Sequence, residues 1–418
     1  MTPIRINFQR LQHDIEALSA IGRDADRGIH RMAFSEGDLA GRQWFRERIL
    51  EADLDFYEDG AANLHGRLDW DGQRPSVMMG SHLDTVPGGG PLDGALGVLV
   101  GLEVLRTVKE SGLPLRHPLE VVNFTDEEGR FGGLFGSQAM AGQLTPAMIH
   151  AARDLDGITL TEAMAAWGLD ANAALFARRP RDSIHAYLEL HIEQGPVLDR
   201  GKTSVGVVEA ITGLFKWDVQ LKGQTNHAGT TPMDMRNDTF QGLAEFAGEI
   251  ERILEEHGSP HSRATIGRVE LKPGAANTVP GYTSFSLDVR DTDPDTLTNL
   301  ADAFRRTLST MARRRSLMFE FEVLSELPPQ RCDPALVQLL EDKARALDLK
   351  DLRLPSGAAH DAQIMASLTR TGMIFVPSLE GRSHSAAEWT NWEDIERGAN
   401  LMLQAILSLA TESGGELK

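Results

Sequence analysis

The sequence predicts an α/β protein. Its main domain is a mostly parallel, mixed sheet with helices on both faces, and a smaller α+β domain of ferredoxin-like order is inserted into it. Three observations predict this. Short apolar runs alternate with amphipathic stretches of helical length near both ends of the chain, as in repeated β-α units. Residues 214–326 change to the order β-α-β-β-α-β, the split unit of small α+β domains. The chain has 418 residues, too many for one core, so two domains are expected. We place them at 1–213 with 327–418, and at 214–326.

The elements follow in order. Residues 7–20 and 36–52 have the apolar spacing of amphipathic helices. SVMMG (76–80) is a strand. It leads into the glycine-rich run GSHLDTVPGGGPLDGALG (80–97) and then a helix over 95–110. LEVVNF (119–124) is the next strand and ends in the acidic turn TDEEG. AYLELHI (186–192) and MIFVP (373–377) are two more, the latter followed by SHSAAE and a helix over 392–411. Within the insert, FKWDVQLKG is a strand and residues 237–258 a helix. ATIGRVEL (264–271) and YTSFSLDVRD (282–291) are strands. Residues 293–315 form a helix that starts with Asp and Pro, and LMFEFEVLSE (317–326) closes the unit. Two helices would cover one face of this small sheet and leave a face or edge for a partner. No repeat, heptad array or low-complexity tract is visible.

Composition narrows the function. The chain is 41% hydrophobic and 25% charged, as globular proteins are. Its net charge of −19 and pI near 5.1 argue against nucleic acid or anionic membrane as partners. No run of about 18 apolar residues suggests a membrane span. The first residues are charged throughout, so no secretory leader is expected and the cytoplasm is the expected location. Cys332 is the one cysteine. No intrachain disulfide and no thiolate zinc site can form, and a buried apolar role is its default.

Histidines and acids cluster where strands end. His82 and Asp84 follow the first strand, with Asp93 in the glycine-rich loop. Glu127 and Glu128 follow the second strand, His191 ends the third, and His384 follows the fourth. Open α/β sheets bind ligands beyond the carboxyl ends of their strands. Taken singly, each signal has a plainer reading. A strand-end histidine is usually a hydrogen-bonded structural residue, and a Glu-Glu pair is often a solvated turn or a helix start. Their joint placement argues for metal. Two histidines, a bridging acid and two further ligands would hold two divalent ions about 3.5 Å apart. Nitrogen and oxygen donors without sulfur suit Zn, Mn, Co or Ni. Of Glu127 and Glu128, one can ligate while the other serves as base. In the insert, Arg290 is able to grip a carboxylate with two hydrogen bonds or to pair locally with Asp288 or Asp291.

Seven motifs carry a resemblance: GSHLDTV (80–86), DGALGV (93–98), TDEEGRF (125–131), ELHIEQGPVL (189–198), NHAGTTPM (226–233), SGAAHDA (356–362) and SHS (383–385). Together they resemble the M20 metallopeptidase superfamily. More narrowly they resemble its amidase branch of N-carbamoyl-L-amino-acid hydrolases, β-ureidopropionases and allantoate amidohydrolases. The similarity runs from about residue 40 to 410 in constant order. It implies a catalytic di-metal domain and a lid or dimerisation insert. His82, Asp93, Glu128, His191 and His384 would be the metal ligands, Asp93 bridging. Glu127 would be the general base, and Asp84 would fix His82 by accepting its other ring proton. The family often has a cis peptide after the bridging aspartate, here Asp93–Gly94. His191, in HIEQG, is typical of the amidase branch. The family usually has one more residue between EEG and RF than this chain, which leaves Arg130 and the local loop open.

The resemblance further implies that Arg290 and Asn277 hold a substrate carboxylate. His227 would steady the oxyanion, typically from the partner subunit of a homodimer. Gln194 and the Gly357–Ala358–Ala359 turn would line the pocket, while His360 is either structural or pocket-lining. The implied substrate is a small carboxylate with a ureido group, and the implied reaction is hydrolysis of a carbamoyl C–N bond. DGALGV looks more like the carbamoyl-amino-acid hydrolases than the allantoate enzymes. Allantoate or β-ureidopropionate hydrolysis, and dipeptidase or aminoacylase activity, are the alternatives. A scaffold that lost catalysis is disfavoured by the complete ligand set.

Overall fold

The computed structural model describes residues 4–24 and 28–411. The chain divides into two compact units. One is Met1–Glu209, Cys332–Leu354 and His360–Lys418; the other is Ala210–Arg331 with Pro355–Ala359. The last segment was expected in the larger unit. It groups with the insert because Thr212 N–H donates to Ser356 O at 3.0 Å and Arg290 Nη1 to Gly357 O at 2.7 Å.

The larger unit contributes most of a nine-stranded mixed sheet. The strand order is Gln330–Arg331, Val205–Ile211, Thr371–Val376, Ile184–Ile192, Ser76–His82, Leu119–Phe124, Leu64–Leu68 and Asp55–Glu58, with Asp351–Ser356 paired to Val205–Ile211. The central four, from Thr371–Val376 to Leu119–Phe124, are mutually parallel. Every residue of Ser76–His82, Leu119–Phe124 and Thr371–Val376 is buried, which requires cover on both faces. The helix Ala95–Ser111 supplies part of it. It is buried from Ala95 to Val108 because it is apolar nearly all round, and it packs on Ser76–His82 and Leu119–Phe124. The helix Trp392–Thr411 packs on Thr371–Val376 and Ile184–Ile192. Asp361–Met365 packs on the same two strands and on Phe135–Ala141, which itself packs on Leu119–Phe124. Helix Glu36–Glu51 starts where its sequence says it should. Ser35 Oγ caps Asp38 N–H, and Glu36 and Asp38 sit in the positive first turn.

The smaller unit has a five-stranded antiparallel sheet. Met318–Leu327, Gly213–Lys222 and Tyr282–Asp291 lie side by side, and Arg263–Thr265 and Val269–Lys272 both pair with Tyr282–Asp291. This is the spatial order expected of β-α-β-β-α-β. Phe215, Trp217, Val219 and Leu221 alternate inward and meet Phe285, Leu287, Phe246 and Phe304 in the core.

Two elements differ from expectation. The 264–271 strand is broken by a bulge: Thr265 opposes Asp288 and Val269 opposes Phe285, so its strand holds one residue more than its partner. The 237–258 helix is two helices, Thr239–Gly248 and Ile250–His257. At the join, Glu249 N–H turns tightly onto Phe246 O. Among the described residues, no helix is long and apolar enough to cross a membrane.

Candidate metal centre

The four parallel strands deliver their chemistry to one edge. His82 ends Ser76–His82 and pairs in register with Phe124, which brings the Thr125–Glu128 turn beside it. His191 lies in the neighbouring strand on the other side, with its ring centroid 6.1 Å from that of His82. From Ser76–His82 the chain moves to one neighbour and later returns to the other, so the site sits at the switch point of the sheet.

Asp93 is the hub. Its Oδ1 lies 3.2 Å from His191 Nε2, and its Oδ2 lies 3.1 Å from His384 Nε2. Oδ2 also accepts from Gln194 Nε2 at 2.8 Å and Ser383 Oγ at 3.1 Å. Glu128 Oε2 is 3.6 Å from His384 Nε2, and Glu127 Oε2 is 3.4 Å from His82 Nε2. Three groups of donor atoms lie within 4.8 Å among the described residues: His82, Asp93 and His191; Asp93, Glu128 and His384; and, behind the first, Glu189, His191 and His360. Asp93 belongs to two of them, as a bridging carboxylate must.

The residues fit a pair of divalent cations. All donors are nitrogen or oxygen. The Nδ1 atoms of His82 and His191 sit 2.9 Å from the carbonyls of Asp84 and Ile192. Both Nδ1 atoms then carry a ring proton, which in the ion-bound state would leave Nε2 free as the inward donor atom. Burial pushes His82 down to about 4, keeping it neutral. Burial also acts on Asp93, but the hydrogen bonds from His191 and His384 outweigh it and hold its carboxyl well below the usual range. Burial pulls His191 down, but its hydrogen bond to Asp93 and the negative charges of Asp93 and Glu189 together outweigh that and draw it up to about 9. Glu128 is pushed well up, by burial first and then by Asp93 and Asp84. Its buried Oε1 has no hydrogen-bond partner, the condition of an oxygen awaiting a cation.

Two details differ from the sequence reading. Asp84 holds His82 through its backbone carbonyl, because its carboxylate stands 3.8 Å from the ring. That carboxylate instead accepts the N–H groups of Glu127 (3.3 Å) and Glu128 (3.1 Å) and so sets the glutamate pair. The one cis peptide among the described residues is Lys272–Pro273, so Asp93–Gly94 is trans. Gly94 makes the sharp turn by other means: φ 64° and ψ −50°, with Ala95 N–H bonded to Asp93 O at 2.6 Å. This is a γ-turn, a conformation open to glycine and strained for other residues. A Cβ at Gly94 would overlap the Nε2, Cδ2 and Cε1 atoms of His82.

Backbone strain gathers here. Asp126, Gln194 and His384 all take positive φ, between 53° and 58°, as residues at functional sites often do. The open question of Arg130 closes in the same region. Its Nε and Nη2 donate to Asp154 Oδ2 at 3.1 and 2.9 Å, and its Nη1 to Ala33 O at 2.8 Å. Asp126 accepts Phe131 N–H at 3.1 Å and closes the shortened loop.

Sequence reasoning missed Glu388 and Glu189. Glu388 Oε1 accepts the N–H groups of Leu92 (2.9 Å) and Asp93 (3.0 Å), and Ser383 Oγ donates to its Oε2 at 3.1 Å. It therefore pins the hub from beneath. Glu189 accepts Ser81 Oγ, Tyr187 OH and Ala362 N–H. An acid inside the apolar run AYLELHI was its only available signal. His360 is buried, its ring 4.5 Å edge-on to His191, and burial holds it well below its usual pKa.

The remaining candidates lie in the smaller unit. His227 and Asn277 meet where Asn226–His227 pairs with Thr278–Val279, and Ala228 N–H donates to Asn277 O at 2.9 Å. His227 Nδ1 accepts Gly229 N–H at 3.0 Å, which leaves its Nε2 as the donor. Arg290 makes the local pair with Asp288, at 2.9 and 3.2 Å, as well as its bond to Gly357 O. Ala358 N–H donates to Ser356 Oγ at 3.1 Å and closes the turn after Ser356.

A carboxylate shared by two donor groups, imidazoles fixed from behind and a further buried carboxyl at parallel strand ends suit metal-dependent hydrolysis. The sequence profile of peptidase family M20/M25/M40 matches residues 78–408, and the chain belongs to that family. Among its relatives, an N-carbamoyl-L-amino acid amidohydrolase of Geobacillus stearothermophilus is 38% identical over 97% of this chain and 99% of its own. The allantoate amidohydrolase of Escherichia coli is 35% identical over 96% and 98%. A crystal structure of an amidase of the hydantoinase/carbamoylase family from Burkholderia multivorans superposes with a TM-score of 0.88 at 34% identity, covering 98% of this chain and 99% of that one.

Proposed function

We propose that the chain is a metal-dependent amidohydrolase that cleaves the carbamoyl C–N bond of N-carbamoyl-L-amino acids, giving the L-amino acid, CO2 and ammonia. The observation that carries this reading is Asp93 shared between two donor groups, with the spare carboxyl of Glu127 beside them. The names of the relatives supply the substrate class. His82, Asp93 and His191 would hold one divalent ion, and Asp93, Glu128 and His384 the other. Zn, Mn, Co or Ni at these positions would polarise the ureido carbonyl and acidify water.

The chain's own groups do the rest. Glu127 is pushed well above its usual pKa, by burial first and then by the negative charges of Asp361, Glu128, Asp84 and Asp93. With the cations bound beside it, its carboxylate is placed to take a proton from attacking water and return it to the leaving nitrogen. The products are the free amine and carbamic acid, which breaks down to CO2 and ammonia. Asp84 orients Glu127 and Glu128 through their N–H groups. In this reading Arg290 and Asn277 hold the substrate carboxylate, and His227 Nε2–H donates to the oxyanion, from the partner subunit of a homodimer. Gln194, Gly357, Ala358 and His360 line the pocket, and the insert acts as lid and dimerisation domain of a cytoplasmic enzyme.

The test compares ammonia release from N-carbamoyl-L-methionine, N-carbamoyl-β-alanine and allantoate by the metal-loaded protein. N-carbamoyl-L-methionine is expected to have the highest kcat/KM. Preference for allantoate or N-carbamoyl-β-alanine would move the assignment to those activities. Turnover of dipeptides or N-acetyl amino acids alone would refute it.

A further inference from the structure

Beside the donor groups, the larger unit carries a cleft of about 500 Å³. Asp84 and Glu128 form part of its lining, so it opens onto the group made by Asp93, Glu128 and His384. Its apolar walls are Met32, Phe34, Val86, Pro87, Leu155 and Trp167. Several of the polar side chains that line it are already engaged. The Asp84 carboxylate serves the two glutamate N–H groups, Ser35 Oγ caps a helix, and Thr85 Oγ1 donates to Ile29 O at 3.3 Å. Arg130, the one cation among the described lining residues, is bound to Asp154 and Ala33 O. The exposed acids Glu36 and Asp156 also border the cleft.

Leu155 is fully exposed, at 107%. The backbone of its turn is tied, because Asp154 Oδ1 accepts Asp156 N–H at 3.0 Å and Ile158 N–H at 2.9 Å. A leucine held in water at the rim of an apolar cleft gains only when an apolar group covers it.

We infer that this cleft receives the substrate's side chain and selects neutral, apolar side chains of the size of methionine, leucine or phenylalanine. The inference rests on the carbamoyl-amino-acid reading above and deepens it. An acidic side chain would meet Glu36 and Asp156 with no free cation to pair with. The carbonyl of a second ureido arm would lose its water with no free cation in the lining to replace it. A substrate without a side chain would leave the walls wet.

The experiment measures kcat/KM of the full-length, metal-loaded chain on the N-carbamoyl derivatives of L-methionine, glycine and L-glutamate. Wild type, Leu155→Asp, Leu155→Arg and, as a control outside the cleft, Ile158→Asp are compared. Wild type is expected to favour methionine over glycine by about tenfold or more. Leu155→Asp should lower that ratio several-fold, mainly through KM for the methionine substrate. Leu155→Arg should raise glutamate relative to methionine, and Ile158→Asp should leave the ratios in place. Equal kcat/KM for methionine and glycine in wild type would overturn the inference, as would ratios unmoved by both Leu155 substitutions, while leaving the activity itself standing. Failure to turn over any of the three removes the activity reading, and the cleft's assignment with it.

Discussion

Gly94→Ala is expected to yield a folded protein with kcat/KM lowered by about 100-fold or more and weakened divalent-ion binding. The reason is local. The added methyl would occupy the space of the His82 ring at its ligand face. His82 has nowhere to retreat, since it is 1% exposed and its Nδ1 is held by Asp84 O at 2.9 Å. The alternative, moving Gly94, unwinds the γ-turn that presents Asp93 to both histidines. A non-glycine residue at φ 64° and ψ −50° also carries strain of roughly 1–3 kcal/mol. Displacing one member of such a constellation by about 1 Å can cost about a hundredfold in rate. Circular dichroism, a divalent-ion titration and steady-state kinetics on the same preparation check this. Wild-type kinetics in Gly94→Ala would mean that His82 does not occupy the place given to it.

Glu127→Gln should keep the fold and ion binding while kcat falls by about 10²–10⁴, the usual contribution of a positioned general base. The amide has the shape of the carboxyl but takes no proton from water. Glu127 is the suitable base of the adjacent pair because its partner is committed: Glu128 Oε2 points at His384, within the Asp93 group. The Asp84 carboxylate fixes this division by accepting both backbone N–H groups. A kcat loss with KM nearly unchanged, and two ions still bound, is the expected signature. Full activity in this variant would hand the proton transfer to another group.

Much of this was legible in the chain itself, for reasons that can be stated. Strands such as LEVVNF are short apolar runs cut off sharply by TDEEG, and Leu119–Phe124 has those limits. Parallel strands put their ends on one edge, so His82, Glu127, Glu128, His191 and His384 could be grouped before any coordinates. The parts that were not legible depend on backbone detail or on distant contacts. The trans Asp93–Gly94 bond follows from a γ-turn, which glycine permits but does not announce. Asp84 uses its main-chain carbonyl on His82, a choice invisible in side-chain identity. Glu388 reaches Leu92 and Asp93 across nearly 300 residues, and nothing local in SHSAAE marks it. The break at Ile266–Arg268 needed the register against Tyr282–Asp291 to reveal a bulge.

The central claim is that Asp93 joins two cation sites. The most direct measurement is anomalous diffraction from crystals of the chelated protein reloaded with manganese, with elemental analysis of the same sample. Two manganese ions per chain are predicted, one between His82, Asp93 and His191 and the other between Asp93, Glu128 and His384. A single ion, ions bound elsewhere, or no retained manganese under any loading condition would contradict it.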